Sequence, residues 1–204
     1  MTVIRFGLYF SCVALFAGLI RREVEERSLH YYFLCPIRRE IVALGKYLAA
    51  ACITALVFAV TTIVAFGLML APHGTSSIST YLLRDGGALD LMSFITIAVL
   101  AAVAYGALHF ALGTFLRNPI FPAIAYFFFE VSNHFLPESI RLASVAHYLR
   151  AFDPFPRAEG RFFAVDVAAP PIWFALLVLL GAAAILVSVA AWRARRMELP
   201  YSGD

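Results

Sequence analysis

A chain of 204 residues that is 62% hydrophobic and only 14% charged is unlike an ordinary soluble domain, which is about 45–50% apolar and about 25% charged. Its mean hydropathy is +0.84, and a soluble fold of this length has too little interior to bury so much apolar surface. The net charge of only +3 gives no electrostatic basis for nucleic-acid binding. We therefore expect an all-α protein embedded in a lipid membrane.

Five apolar runs along the chain predict membrane-spanning helices. A helix rises about 1.5 Å per residue, so about 20 mostly apolar residues cross a hydrocarbon core that is roughly 30 Å thick. We expect spans at about residues 3–20, 41–71, 91–116, 120–136 and 171–192. The predicted fold is a polytopic transmembrane helical protein with about five spans, a short cytosolic helix and short external helices.

The segment between the first two runs, residues 21–46, is charged and contains a proline. It holds six of the sixteen basic residues and four of the thirteen acidic residues. Ser28 is a candidate N-cap, and Pro36 ends the short apolar helix that follows, because a residue before proline avoids the α region. This helix is too short to span, so it lies either against a protein partner or along the lipid surface. Lipid-lying helices are usually basic, whereas acids precede this one, which favours a protein partner.

The third and fourth runs are separated only by residues 117–119, which contain a proline. We expect a tight turn and an antiparallel helical hairpin. Ala98, Ala102 and Gly106 recur at four-residue spacing on the third run. Small residues at that spacing let helix backbones approach closely in lipid, although alanine is abundant throughout the chain.

Polar side chains inside the apolar runs are candidates for a translocation path or gate. Glu130 is the one acid deep in a predicted span, and an ionised carboxylate there has to be paired, protonated or hydrated. Asn133 and His134 follow it closely, with His134 on the same helical face. The alternative is that Glu130 is a structural tie that caps or braces the outer helices. His109, with Tyr105 one turn before it, is either a packed core histidine or a substrate contact.

The external segment, residues 137–170, predicts a short helix that dips into the outer leaflet. Four apolar residues recur there at helical spacing, namely Leu142, Val145, Leu149 and Phe152. Asp153 and Pro154 end the pattern. This helix either closes an exit or is simply an amphipathic loop element on the surface.

The fifth run has the sequence features of a complete membrane span. Trp173 and Trp192 lie about 28 Å apart along a helix, which places one indole at each membrane interface. Three basic residues follow at once: Arg193, Arg195 and Arg196.

The distribution of basic residues predicts the orientation. Residues 21–46, 117–119 and the C-terminal tail together hold ten Lys and Arg residues, against five in residues 72–90 and 137–169. Cytosolic loops carry the excess of basic residues. We therefore expect the segment 21–40 and the C-terminus in the cytosol.

Residues 23–46 also resemble the loop between the second and third spans of type-2 ATP-binding-cassette (ABC) permeases. The family pattern is an acid, a Ser/Thr-Leu pair, a short apolar helix, a proline, a hydrophobic and a basic residue, and Gly-Lys before the next span. The matching string is Glu23-x-x-Glu26-Arg27-Ser28-Leu29-His30-Tyr31-x-x-Leu34-x-Pro36-Ile37-Arg38-Arg39-Glu40-Ile41-x-x-Leu44-Gly45-Lys46. The tight third-to-fourth hairpin, the external string Ser144-x-x-His147-Tyr148-Leu149 and the basic tail are also similar to the family.

The resemblance implies one transmembrane permease domain, residues 1–204, in a transporter of the cell inner membrane, and most simply an exporter. In such permeases the short cytosolic helix is the coupling helix, which sits in a groove of a separate ATPase subunit. The residues that it assigns to ATPase coupling are Glu26, Arg27, Ser28, Leu29, His30, Tyr31, Tyr32, Leu34, Pro36, Arg38 and Arg39. The partners would be ATPase subunits and a second permease subunit, identical or related.

The same resemblance implies that ATP and magnesium bind to the partner subunit and that this chain binds no cofactor. The chain contains no Walker-A pattern, which agrees with an ATPase on another chain. The family has six spans and this loop follows the second, whereas here it follows the first. We therefore expect either a span that precedes the given sequence or a five-span variant.

Three other classes of function are weighed against a permease. An enzyme is not expected, since no metalloprotease, nucleophile-elbow or paired-cysteine motif is present, and Cys12, Cys35 and Cys52 fit no metal-ligand spacing. A secondary transporter would need polar residues at the midplane and broken helices, and few are seen. A non-transporting membrane scaffold would use the same cytosolic segment to hold a partner without ATP.

Overall fold

The structure, a computed structural model, describes residues 2–19, 38–116, 118–155 and 169–196. These ranges are all-helical and contain no strand. The helices are α1 (Thr2–Phe16), α2 (Arg39–Leu70), α3 (Thr75–Leu83), α4 (Gly87–Phe115), α5 (Ile120–Val131), α6 (Glu138–Arg141), α7 (Val145–Leu149) and α8 (Ile172–Arg195). Single 3₁₀ turns at Ala71–His73, Ser132–Phe135 and Arg150–Phe152 follow α2, α5 and α7. The predicted all-α class is confirmed for these residues.

Three of these helices are long and apolar enough to cross a membrane: α2 with its 3₁₀ turn, α4 and α8. Two further apolar helices are shorter than predicted. α1 ends at Phe16 rather than near residue 20, and α5 ends at Val131 rather than near residue 136. α5 rises only about 18 Å, less than the thickness of the hydrocarbon core. The count of five spans therefore stays a prediction.

α4 lies at the centre of the fold and packs against α1, α2 and α8. Ala98, Ala102 and Gly106, the small residues identified in the sequence, are all buried. A Cβ added to Gly106 would lie 2.7 Å from the ring of Phe16 of α1, so a larger residue at this position would require the ring to shift. The predicted close packing along α4 is confirmed.

The chain directly after α1 passes very close to α4 at Gly113. A Cβ added to this residue would overlap the backbone of Ala17, first of all its carbonyl oxygen. Backbone atoms cannot move aside as the end of a flexible side chain can, so the contact requires glycine. The packing of apolar helices in lipid depends on such contacts because lipid tails are as apolar as the side chains.

Two tyrosine hydroxyls hold neighbouring helices to this core. The Tyr47 hydroxyl donates to the carbonyl oxygen of Val103 over 2.9 Å and joins α2 to α4. The Tyr9 hydroxyl donates to the carbonyl oxygen of Ala123 over 2.7 Å and joins α1 to α5. A buried tyrosine normally finds a partner for its hydroxyl, and here both partners are backbone oxygens of another helix.

The connection between α2 and α4 contains a helix that the sequence analysis did not predict. α3 occupies residues 75–83, and the Tyr81 hydroxyl donates to the Asp90 carboxylate over 2.7 Å. The chain then reverses into α4 through Gly86, whose φ of 83° lies in the left-handed region that favours glycine. α3 thus folds back onto the beginning of α4.

The described part of the segment that the sequence predicts to be external, residues 137–155, is divided more finely than predicted. The helix expected across residues 142–152 is instead α7 followed by a 3₁₀ turn, with α6 before it. Leu142 lies outside both helices and is exposed, because Ser144 caps the next helix and starts it at Val145. Asp153 follows the 3₁₀ turn, where the sequence pattern predicted the end.

Candidate functional site

The Glu130 carboxylate lies at the beginning of α7, although Glu130 itself belongs to α5. Its Oε1 accepts a hydrogen bond from the Val145 N–H at 2.8 Å. Its Oε2 accepts from the Ala146 N–H at 3.1 Å and from the Ser144 hydroxyl at 3.0 Å. The residue is only 4% exposed. A buried carboxylate needs donors of this kind, because leaving it without them costs several kcal/mol.

Ser144 completes the capping of the same short helix. Its hydroxyl oxygen accepts from the His147 N–H at 3.3 Å and from the Asn133 Nδ2 at 2.9 Å. The first N–H groups of a helix have no partner within the helix. Here Glu130 binds two of them and Ser144 a third.

Tyr126 lies one turn before Glu130 on α5 and contacts the same stretch of chain. Its hydroxyl donates to the carbonyl oxygen of Ala143 over 3.1 Å and accepts from the Val145 N–H at 3.3 Å. We call Tyr126, Glu130, Asn133 and Ser144 the outer polar cluster. The cluster joins the end of α5 to the start of α7, which in turn packs on α4 and α8.

This geometry favours one of the two interpretations of Glu130. Both carboxylate oxygens are occupied by donors of the protein itself, as expected of a structural tie that caps the outer helices. A translocation path would need a carboxylate that faces a cavity or a substrate. Of the two residues predicted beside it, Asn133 is in the cluster, while the His134 side chain lies outside the described part of the structure.

His147 follows the cluster on α7, and its charge state depends on its surroundings. Burial, and then the positive charges of Arg150 and Arg141, lower the pKa of the His147 imidazole below its ordinary value. Glu138 acts in the opposite direction as a smaller contribution. The neutral imidazole is therefore the form that the folded protein favours.

Tyr105 and His109 lie together in the core on α4, as their one-turn spacing predicted. The ring of Tyr9 from α1 packs edge-on against both, with centroid separations of 5.2 Å to Tyr105 and 4.9 Å to His109. His109 is fully buried, and neither ring nitrogen has a hydrogen-bond partner among the described residues. The packed-core interpretation is favoured, though without the expected hydrogen bond.

The start of α2 holds the only described residues of the predicted coupling set, Arg38 and Arg39. Glu40 lies 3.9 Å from Arg38 and 4.0 Å from Arg195, the last residue of α8. The remaining residues of the set lie outside the described ranges: Glu26, Arg27, Ser28, Leu29, His30, Tyr31, Tyr32, Leu34 and Pro36.

Neither a metal site among the described residues nor a similar known protein indicates a function. Within the part of the chain that the structure describes, no group of three or more His, Cys, Asp or Glu side chains is placed to hold a metal ion. Comparison with known proteins gives no match, whether to a family model, to a characterised protein or to a solved structure.

Two members of the outer polar cluster were not identified as partners of Glu130 from the sequence. Tyr126 precedes Glu130 by four residues, which places both on one helical face. Ser144 directly precedes an apolar helical run, the usual position of an N-cap. Those two signals were present, but nothing in the sequence indicated that the two segments meet.

Proposed function

We propose that this chain is the transmembrane permease subunit of an ABC-type exporter, driven by ATP hydrolysis on a separate subunit. The observation that carries the proposal is the sequence of residues 23–46, which predicts a short helix preceded by acids and ended by a proline, between two apolar runs. The all-helical fold with three long apolar helices supports a membrane subunit. ATP and magnesium would be bound by the ATPase.

The packing of α2 supports a coupling role for the segment that precedes it. α2 begins at Arg39, three residues after Pro36, so a push on the proposed coupling helix would act on the first turn of α2. The Tyr47 hydrogen bond to Val103 then joins α2 to α4 within its first three turns. Movement of the segment would therefore displace α2 and α4 together.

The length of α2 would carry this movement across the membrane. Its 32 residues extend about 48 Å. Near its far end, Phe66 packs against Phe94 of α4 and Tyr81 of α3, with ring centroids 6.2 Å and 6.4 Å apart. Closure of the ATPases would thus tilt α2 and α4 and open the permease toward the outside.

The proposed assembly contains a second permease subunit, identical or related, and two ATPase subunits in the inner membrane. The C-terminus and the coupling segment would face the cytosol. Large apolar side chains remain exposed along α2, including Ile53, Leu56 and Val60. Lipid or the second permease subunit would cover them.

A secondary transporter is the second candidate, and one observation favours it. His109 is a buried titratable residue without a hydrogen-bond partner in the described structure. Ionisable residues within membrane helices often mark ion or proton pathways. Such a protein would transport its substrate without any ATPase bound to it.

Co-purification with the products of neighbouring genes tests the proposal. We expect an ATPase to remain bound to the native chain in detergent. Replacing Leu29 and Tyr31 by Asp would place charge on the predicted docking surface and release the ATPase. Leu83→Asp is the matched control, because Leu83 is highly exposed at the far end of α3.

Each outcome of this experiment has a definite meaning. If no ATPase binds the native chain, the ABC proposal fails. If an ATPase binds and the double replacement leaves ATP-dependent transport intact, the coupling role of residues 28–36 fails. Transport that persists without any ATPase would favour the secondary transporter.

A further inference from the structure

The imidazole of His109, on α4, is fully buried and makes no hydrogen bond within the part of the chain that the structure describes. A neutral imidazole carries one N–H donor and one acceptor nitrogen, and here both ring nitrogens are without a partner. Buried polar atoms in this state are rare, and each needs an explanation such as a bound water molecule, an ion or a functional role. His109 therefore indicates a small polar ligand.

The helices around His109 present mostly hydroxyl groups, and no described carboxylate forms a hydrogen bond with its ring. Helix by helix, their titratable groups are Tyr9 and Cys12 of α1, Tyr47 of α2, Tyr105 of α4 itself, Tyr126 and Glu130 of α5, and His147 of α7. At its buried positions α8 presents only alanine, leucine and valine. An imidazolium in this position therefore needs water or a hydroxyl group to stabilise its charge.

One approach to this ring is closed by the chain itself. Gly113 follows His109 by four residues on the same face of α4, and a Cβ added to Gly113 would overlap the backbone of Ala17. An atom placed there would lie closer to the Ala17 carbonyl oxygen than a hydrogen-bonded water oxygen can. Water therefore cannot pass between the two segments at this point, and this face of α4 gives no access to His109 from the end of the helix.

In the opposite direction, a row of polar groups leads from His109 to the outer polar cluster. Tyr105 precedes His109 by one turn, and the ring of Tyr9 packs on both. Tyr105 and Glu130 both act electrostatically on the Tyr126 hydroxyl. Tyr126 is only half-buried, and its hydroxyl donates to the carbonyl oxygen of residue 143, which is exposed. The row therefore reaches the surface of the described structure at Tyr126.

The outer polar cluster contains a second buried polar atom without a partner among the described residues. It is the side-chain oxygen of Asn133, a residue that is only 1% exposed. Because the Nδ2 of the same amide donates to the Ser144 hydroxyl, this oxygen lies within the cluster. Unpartnered polar atoms thus occur at both ends of the row, at Asn133 and at His109, and buried water typically binds to such atoms.

We propose that His109 binds a proton that reaches it from the outer polar cluster, along the hydroxyls of Tyr126 and Tyr105 and the water that they hydrogen-bond. Each oxygen accepts a proton from one neighbour and passes its own to the next, so that only the imidazole gains one and becomes an imidazolium. Histidine is the usual proton shuttle of proteins, and chains of ionisable groups form proton routes in membranes. Glu130 keeps its hydrogen bonds to α7, and its negative charge attracts the proton. The site needs no ATPase, so this inference is independent of the proposed exporter.

Deuterium exchange at the C2 carbon of the imidazole rings tests this proposal on the full chain in lipid nanodiscs. The exchange proceeds through the imidazolium form and requires water at the ring, so it reports proton binding and hydration together. Mass spectrometry of peptides resolves the individual histidines, and the exposed His73 is the internal reference. We expect His109 to exchange more slowly than His73, with a rate that follows a titration curve as the pH is varied.

Removing a hydroxyl from the row should slow this exchange. Tyr126→Phe and Tyr105→Phe, made separately, should each slow the exchange at His109 by about 10-fold, since one hydrogen bond of this kind contributes about that factor. Tyr47→Phe is the matched control, because it removes a tyrosine hydroxyl that donates to Val103 outside the row, and it should not slow the exchange. In each variant, exchange at His147 reports whether α7 keeps its position.

Two results would overturn the proposal. If His109 keeps its C2 hydrogen at every pH at which His73 exchanges completely, His109 is a sealed core residue that binds no proton. If neither tyrosine variant slows the exchange at His109, or if Tyr47→Phe slows it equally, water and protons do not follow the row. Should Tyr126→Phe displace α7 and speed the exchange at His147, the result for Tyr105→Phe, which lies on α4, decides between these outcomes.

Discussion

Glu130 connects two parts of the chain through contacts in which both of its carboxylate oxygens act as acceptors. Its two oxygens accept from two backbone N–H groups and one hydroxyl, all in residues 144–146. In a water-poor environment an N–H group without an acceptor is costly, and apart from a longer contact of the Val145 N–H with the Tyr126 hydroxyl the carboxylate supplies the acceptors. The carboxylate therefore provides hydrogen-bond acceptors for the first turn of α7, and the first turn provides donors for the carboxylate.

Replacing this carboxylate by an amide should weaken the outer end. Glu130→Gln keeps the shape but puts an NH₂ group against backbone donors, so we expect a loss of about 2 kcal/mol in the free energy of unfolding. Glu138→Gln removes the same charge from an exposed position and should change the free energy of unfolding by less than about 0.5 kcal/mol. Unfolding in mixed micelles measures both. Equal stability of the two variants would contradict the structural role of Glu130.

The lowered pKa of His147 predicts that the stability of the protein depends on pH. Because its pKa in the folded protein is lowered, the unfolded chain binds the proton more readily, and stability falls as the pH drops below about 6.5. Thermal unfolding at about pH 7.5 and about pH 5.5 measures this loss. His147→Gln should reduce the difference in stability between these two pH values, whereas His73→Gln, at an exposed position, should not. An unchanged difference in the His147 variant would show that another group is responsible.

At the scale of single residues, the sequence identified the important side chains more reliably than it identified their contact partners. An acid inside an apolar run is conspicuous because it is costly there, and so Glu130 was identified at once. Its partners are mostly backbone N–H groups of residues 145 and 146, which have no sequence signature. Tyr9 was not identified either, since a tyrosine in an apolar run looks like ordinary packing until its partner Ala123 is known.

At the scale of elements, the close contact between α1 and α4 depends on Gly113. Gly113→Ala should lower the free energy of unfolding by about 1–3 kcal/mol, as overpacking does, because the added Cβ meets the Ala17 backbone. Gly181→Ala is the control: nothing lies within 4 Å of the added Cβ, and alanine favours helix by about 1 kcal/mol. A variant at Gly113 as stable as the one at Gly181 would mean that α1 is not held in this position.

Helix positions were predictable where hydropathy alone decides them, as in α4 and α8. The ends of the helices were harder to predict. α5 stops at Val131 rather than near residue 136, because Ser132–Phe135 tightens into a 3₁₀ turn that brings Asn133 to Ser144. α3 was missed because a nine-residue helix rich in Ser and Thr has no strong apolar period.

At the scale of the whole molecule, the orientation rests on the count of basic residues and can be measured. Single cysteines at position 153 and at position 196, with the native Cys12, Cys35 and Cys52 all replaced by serine, would be labelled in intact cells by a membrane-impermeant maleimide. We expect Asp153→Cys to react at once and Arg196→Cys only after the cells are permeabilised. Labelling in the reverse order would invert the proposed topology and place residues 21–40 outside the cytosol.

The central claim is that the coupling helix, residues 28–36, meets an ATPase. Photo-crosslinking from a benzoylphenylalanine at Tyr31 in cell membranes tests it most directly, with the same group at Tyr81, at the opposite end of α2, as the control. We predict that position 31 yields a covalent adduct with a protein that contains a Walker-A motif and that position 81 does not. Adducts with lipid alone at position 31, or the same ATPase adduct at both positions, would contradict the claim.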